Sequence, residues 1–283
     1  MKRAVAPVEY EGLSQFRPPL CYELTGKSLE LALDNGLDYT LSFPDDETVT
    51  WGKKGQKQRS DHYECLKGDD TTYFINAEIK GAKPRTGLCA VLDMENSLVT
   101  VIAAYQGTNP KLPGMVTNKI VFGAIVREGQ PLPFRRHGYT RDMLGTAIEW
   151  DYGTHRVVHL YSSEHYYRLT HPTDMPEEQK KRMQRMKELR VRYPQSEEPA
   201  DYIKIKDGLY LFNFIEANEE RCLYPDDHGN NMTFLMNLKR LTDVGRSFGI
   251  NPQHKKENYT YGAVGRIVQV PEELFTEPSA YRV

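Results

Sequence analysis

Short runs of alternating apolar and polar side chains, broken at close intervals by Gly, Pro, Asp or Asn, fill most of this chain. A period of two marks a strand with one buried face. The breaks, such as Asp34-Asn35-Gly36, Lys206-Asp207-Gly208 and Asp227-His228-Gly229, are turn formers. The pattern therefore predicts antiparallel meanders with hardly any helix. Many hairpin-linked strands leave exposed edges unless the sheet closes, so a small barrel or a sandwich is expected, and a barrel interior is a natural ligand cavity.

The strand pattern occurs twice. Leu24-Thr25-Gly26-Lys27-Ser28-Leu29-Glu30-Leu31-Ala32-Leu33 has a counterpart in Met143-Leu144-Gly145-Thr146-Ala147-Ile148-Glu149-Trp150-Asp151-Tyr152, with Gly26 on Gly145 and Glu30 on Glu149. Tyr63-Glu64-Cys65-Leu66-Lys67, running on to Tyr73 through Glu78, matches Tyr202-Ile203-Lys204-Ile205-Lys206, running on to Tyr210 through Glu216. Thr86 through Asp93 matches Met232 through Leu238, in the same order along the chain. Two tandem units are predicted, an N-terminal one at 15–130 and a C-terminal one at 138–283, each of a size that folds as a domain.

One segment breaks the pattern. From Thr173 to Tyr193, Asp174 and Glu177 have capping-box spacing, Pro176 sits in the first turn and Pro194 stops the run, predicting a helix inserted at about 174–193. Met183, Met186 and Leu189 form a narrow apolar stripe, while Lys180, Lys181, Arg182, Arg185, Lys187, Arg190 and Arg192 make the rest basic. A solvated packing helix is the ordinary reading, and a cationic lid over the second unit is the functional one.

Composition narrows the function. With 37 Lys and Arg against 39 Asp and Glu, the chain has no basic footprint for nucleic acid. Hydrophobic content of 39% without an apolar run of spanning length argues against a membrane helix, and the N-terminus lacks a secretory signal, so a cytoplasmic protein is expected. Cys21, Cys65, Cys89 and Cys222 are far apart and read as buried free thiols. His155, His159, His165 and His171 lie in a short window but match no metal-ligand spacing, so no metal is expected. Nucleophile, phosphate-loop and dinucleotide motifs are absent, and no cofactor is expected.

Candidate chemistry falls in the second unit. Period two puts Tyr210, Phe212, Phe214 and Glu216 on one face, with Leu211, Asn213 and Ile215 on the other. If that face points inward, Glu216 sits among aromatic rings, where desolvation raises a carboxylate's pKa and suits it to proton transfer; if outward, it is a solvated strand end. Glu78, the matching residue of the first unit, shares its face with Phe74 and Asn76. Trp150 and Tyr152 share a face on the opening strand, where the first unit has Leu31 and Leu33.

The opening LxG strand, the block Asp201 through Phe212, and the closing Val244-Gly245-Arg246-Ser247-Phe248-Gly249 and Tyr261-Gly262-Ala263 resemble the molybdenum cofactor biosynthesis protein F (MoaF) family over roughly residues 20–270. The resemblance implies an all-β fold of two tandem lipocalin/calycin-like antiparallel β-barrels. Each half is also similar to the phenolic acid decarboxylases, in which tyrosines and an arginine orient a hydroxycinnamate and a glutamate shuttles the proton. On that similarity Trp150 and Tyr152 fall at the tyrosine positions and Glu216 at the glutamate, while Phe214 replaces a tryptophan and no arginine can be matched.

The reading that results is a cofactor-independent acid–base lyase or isomerase acting on a small aromatic or conjugated acid or carbonyl compound. Glu216 transfers the proton and Tyr152 bonds the substrate, while Trp150, Tyr210, Phe212, Phe214, Arg246 and Glu78 complete the ligand-binding set. The competing readings are a carrier or sensor of a small hydrophobic molecule, and an assembly protein with filled barrels. The expected partner is a small aromatic or hydrophobic ligand, and homo-oligomerisation is compatible with the sequence.

Overall fold

The computed structural model describes residues 15–110, 114–153, 155–170, 197–216, 229–250 and 255–276, with residues 172, 174, 177, 180 and 181 between them. The first meander comprises β1 (Ser28–Leu33), β2 (Asp38–Ser42), β3 (Thr48–Lys53), β4 (Arg59–Lys67), β5 (Thr72–Glu78), β6 (Arg85–Asp93), β7 (Leu98–Gln106) and β8 (Val116–Val126). Consecutive strands pair antiparallel, and β1 pairs with β8 to close the barrel. The second comprises β9 (Gly138–Tyr139), β10 (Ala147–Asp151), β11 (Arg156–Leu160), β12 (Tyr166–Thr170), β13 (Glu197–Lys206), β14 (Leu209–Ile215), β15 (Gly229–Asn237), β16 (Thr242–Ile250) and β17 (Lys256–Ile267). Here β10–β17 and β12–β13 pairings close an eight-stranded ring, and β9 adds to the free part of β13 at Ile203 and Lys204. The chain is all-β, with two closed antiparallel barrels. A four-residue helix, α1 (Glu273–Thr276), packs Leu274 and Phe275 on Ala147, Val158 and Leu160 outside the second barrel.

Of the helix expected at about 174–193, Glu177, Lys180 and Lys181 are helical and Lys180 pairs with Glu177. Its apolar stripe, Arg190 and Arg192 lie outside the described residues, as do Cys222 and His171. No helix among the described residues is long and apolar enough to cross a membrane.

The repeat is physical. Gly26 and Gly145 both adopt positive φ, at 77° and 79°, and each donates its N–H to the strand that doubles back, to Phe43 O and Tyr161 O. The β6–β7 and β15–β16 turns match in detail. Asp93 Oδ1 accepts the amides of Glu95 and Asn96, Asn237 Oδ1 accepts those of Lys239 and Arg240, and each turn ends on a positive-φ residue, Ser97 (55°) and Leu241 (50°). These turns set the correspondence between the barrels, with Asp93 equivalent to Asn237.

Eight strands enclose just enough room for side chains. Inward positions of the first barrel are mostly aliphatic, among them Leu29, Leu31, Val49, Ile75, Val99 and Ile125. The outward positions of β4 to β8 and β13 to β16 form a third core, where Leu66, Phe74, Cys89, Val91 and Ile102 meet Ile203, Leu211, Leu235 and Val244. The barrels therefore lie side by side across a dry seam, and β-strands that would face water in a lone barrel are apolar on both sides. The connection between barrels is pinned by His137, whose Nδ1 shares a 2.8 Å hydrogen bond with Thr100 Oγ1.

Candidate functional site

Alternation sorts the predicted residues. Tyr210, Phe212 and Phe214 point into the second barrel while Leu209 and Leu211 join the seam. Trp150 and Tyr152 also point inward, opposite them. Glu216 stands just beyond β14, half-buried, with its amide bonded to Asn230 O at 3.0 Å. Its carboxylate is close enough to Tyr261 for its charge to raise that phenol's pKa, second in effect to burial and to the neighbours Tyr259 and Asp243.

Glu78 and Arg246 are elsewhere. Asn76 corresponds to Asn213, both on the outward face, so Glu78 corresponds to Ile215 and not to Glu216; a shift of one residue exchanges faces. Glu78 takes a two-pronged ion pair from Arg85, at 2.7 and 2.6 Å, at the edge of the seam. Arg246 occupies the position of Ile102 and is buried between the barrels with Nη2 on Asn231 Oδ1 at 3.2 Å. Burial lowers its pKa, and its Nε and Nη1 have no hydrogen-bond partner. Neither residue can touch a ligand inside the second barrel, because Arg246 projects from the outer side of β16 and Glu78 belongs to β5 of the first barrel.

What faces Tyr152 is Asp243, an acid that sequence reasoning passed over. The Tyr152 hydroxyl donates to Asp243 Oδ2 at 3.3 Å, and Asp243 Oδ1 has no partner. Asp243 is 2% exposed, and desolvation pushes its pKa up to about 7 despite hydrogen bonds from the Ala263 amide and Tyr152. Tyr152 is held well above the ordinary phenol value by burial and by Asp243. The first barrel has Val99 at the position of Asp243, Leu31 at Trp150 and Leu33 at Tyr152, so the acid–phenol pair belongs to one barrel alone. Asp243 is the second residue after a turn, where an aspartate ordinarily reads as a turn residue; only the inward phase of β16 gives it away.

Aromatic rings surround the pair. Trp150 donates Nε1–H to the Tyr161 hydroxyl oxygen at 3.2 Å, and that hydroxyl donates to Met236 Sδ. Phe214 stacks on Phe234 at 5.6 Å, and Tyr202 on Phe212 at 5.4 Å. His159, tested above as a metal ligand, lies inside this wall against Tyr167 and Phe212, at 5.1 and 5.6 Å between ring centroids. Among the described residues no group of His, Cys, Asp and Glu is placed to hold a metal ion. Tyr210 closes the end near the β13–β14 turn, its hydroxyl tied to Asp142 at 3.0 Å.

The barrel tolerates this load of rings because the facing strand is thinned. A Cβ at Gly265 would sit 2.7 Å from Trp150 Cζ3. Gly265→Ala is expected to cost about 1–3 kcal/mol by displacing the indole, read as a lower denaturation midpoint with a shifted tryptophan emission; an unchanged midpoint would show that Trp150 is not clamped there.

Comparison with known families adds one match. Residues 10–106 match the family model of the MoaF N-terminal domain. The matched stretch ends with β7 of the first barrel, and the second barrel with its acid–phenol pair lies beyond it. The match supports the resemblance to the MoaF family seen in the sequence. No curated protein matches the chain.

A cleft of about 820 Å³ opens outside both barrels, where the matched end turns meet. Lys206 crosses it to Asp69 and Glu95 at 2.9 and 3.0 Å, Lys239 pairs with Asp207 and Arg240 with Asp70. Its charges are already answered by one another, so it serves the union of the barrels more than it offers a ligand site.

Proposed function

We propose that the second barrel is a cofactor-independent acid–base site, of lyase or isomerase type, for a small aromatic or conjugated carbonyl compound. The Asp243–Tyr152 pair carries the reading. A carboxylate with a pKa of about 7 exists in both forms near neutrality, so it can take a proton from carbon and return it. A phenol kept protonated beside it can donate to the oxygen on which charge develops. Phe212, Phe214, Phe234 and Trp150 supply flat apolar surfaces of the kind a conjugated ring packs against, and Glu216, next to Tyr261, is a second carboxylate at the strand end. The buried arginines Arg168 and Arg246 both project away from the interior, Arg168 toward Leu274 O, which favours a carbonyl compound over a free carboxylate.

The aromatic lining of the interior suits a second reading, a carrier of a small hydrophobic molecule, whereas its ring-on-ring packing is what an assembly protein with filled barrels would show. One experiment separates the acid–base and carrier readings. Aryl aldehydes, enones and cinnamic-type acids are incubated with the protein in D₂O, and both product formation and deuterium entry at acidic C–H positions are followed by NMR. The acid–base reading expects exchange or turnover that falls at least ~100-fold in Asp243→Asn, with ligand affinity changed only a few-fold. A loss confined to Glu216→Gln moves the proton step to the strand end. Binding without exchange or turnover by any compound would leave the carrier reading and reject the enzyme.

A further inference from the structure

The segment before β1 is a strap laid over both barrels. Leu24 is fully buried in the first barrel's core, and Leu20 packs into the seam. Arg17 Nη1 donates to Thr260 Oγ1 of β17 at 3.0 Å and pairs with Glu64 of β4. The strap backbone rests directly on the second barrel, since a Cβ at Gly262 would lie 3.0 Å from Phe16 O and Arg17 Cα. Between these anchors, the Cys21 amide donates to Cys65 O at 2.8 Å.

We propose that Cys21 and Cys65 are a disulfide-forming pair that locks this strap to β4. That backbone bond sets the two residues side by side, the juxtaposition a disulfide needs, since it spans Cα atoms ~4.4–6.8 Å apart. Both side chains belong to the same cluster at the base of the first barrel, and both thiols are free. Cys65 Sγ donates to Leu66 O at 3.8 Å, and burial, followed by the neighbouring Cys21 thiol, pushes the Cys65 thiol up. Cys21 is half-exposed whereas Cys65 is 2% exposed, so a reagent meets Cys21 first.

The chemistry is thiol–disulfide exchange with a low-molecular-weight disulfide such as oxidised glutathione. The Cys21 thiolate attacks one glutathione sulfur, forming a mixed disulfide and expelling one glutathione thiolate. Cys65 gives its proton to that thiolate and attacks the Cys21 sulfur, expelling the second. Two protein thiols are oxidised to one disulfide and one small disulfide is reduced to two thiols. The high pKa of Cys65 makes this second step slow, and its contact with Cys21 makes it specific.

The test is peptide mapping of the full chain after incubation with oxidised glutathione, under non-reducing conditions. The expected result is a Cys21–Cys65 linked peptide, a rise in Tm of roughly 5 °C from the shortened unfolded loop, and reversal of both by dithiothreitol. Cys21→Ser should give no link and no Tm rise, and Cys65→Ser should accumulate a glutathione adduct on Cys21. A lasting adduct on Cys21 in the unaltered protein, a Cys21 link to any other cysteine, or two unmodified thiols would each overturn the proposal. Mapping of the unaltered chain decides even where Cys65→Ser, with its altered barrel core, does not fold.

Discussion

Asp243→Asn is expected to make the protein more stable above neutral pH, by on the order of 2–4 kcal/mol at pH 8. The carboxyl's folded pKa of about 7 stands well above the ordinary aspartate value of 3.8. Between those values the folded state holds a proton that the unfolded state releases. Stability therefore declines as pH rises through that window, and the penalty is complete above pH 7. An amide cannot ionise and still accepts the Tyr152 hydroxyl, so the variant loses this slope and the two proteins converge near pH 4. Urea denaturation from pH 4 to pH 8 measures it. Parallel stability curves across the window would mean that Asp243 is not held neutral by burial, and the acid–base reading would lose its main support. A group that costs stability at working pH and has no structural need for its charge is what a functional acid looks like.

Arg85→Ala is expected to destabilise the protein by about 3–5 kcal/mol, lowering Tm by roughly 10 °C, because it removes one partner from a largely buried ion pair. Arg85 grips Glu78 with two nitrogens, reaches Gln106 Oε1 at 3.0 Å, and donates to the carbonyls of Gly249 and Glu257, both at 2.7 Å. It also lies over the Phe248 ring at 4.3 Å. One side chain of the first barrel thus satisfies two backbone carbonyls of the second, and its loss leaves those carbonyls and the Glu78 carboxylate without their donors. Arg85→Lys should recover only part of the loss, since an ammonium cannot reproduce the fork. A Tm within about 2 °C of the parent for Arg85→Ala would show that the seam is held by its apolar core alone.

Much of this architecture is written in local pattern. Alternation placed Tyr210, Phe212 and Phe214 on one face of β14 and Leu211 on the other, because a strand's period is a property of its own backbone. The repeat showed at Gly26 and Gly145 because a positive-φ turn demands a particular residue wherever it occurs. The same local reasoning misjudged Glu78. Its likeness to Glu216 rested on each glutamate ending an aromatic block, and a one-residue offset between the blocks is invisible without strand partners. Cysteine spacing, likewise, gave no sign that Cys21 and Cys65 meet.

The sequence by itself determined that this chain is a doubled, all-β protein and which residues share a strand face, since both follow from the periodicity of neighbouring residues. Only the tertiary structure decided which face looks inward. Inside and outside are defined by the closing pairs β1–β8 and β10–β17, between residues far apart in the chain. Closure turned Asp243 from a turn-side residue into a buried acid against Tyr152, and packing of one barrel on the other moved Glu78 and Arg246 from a supposed ligand site into the seam.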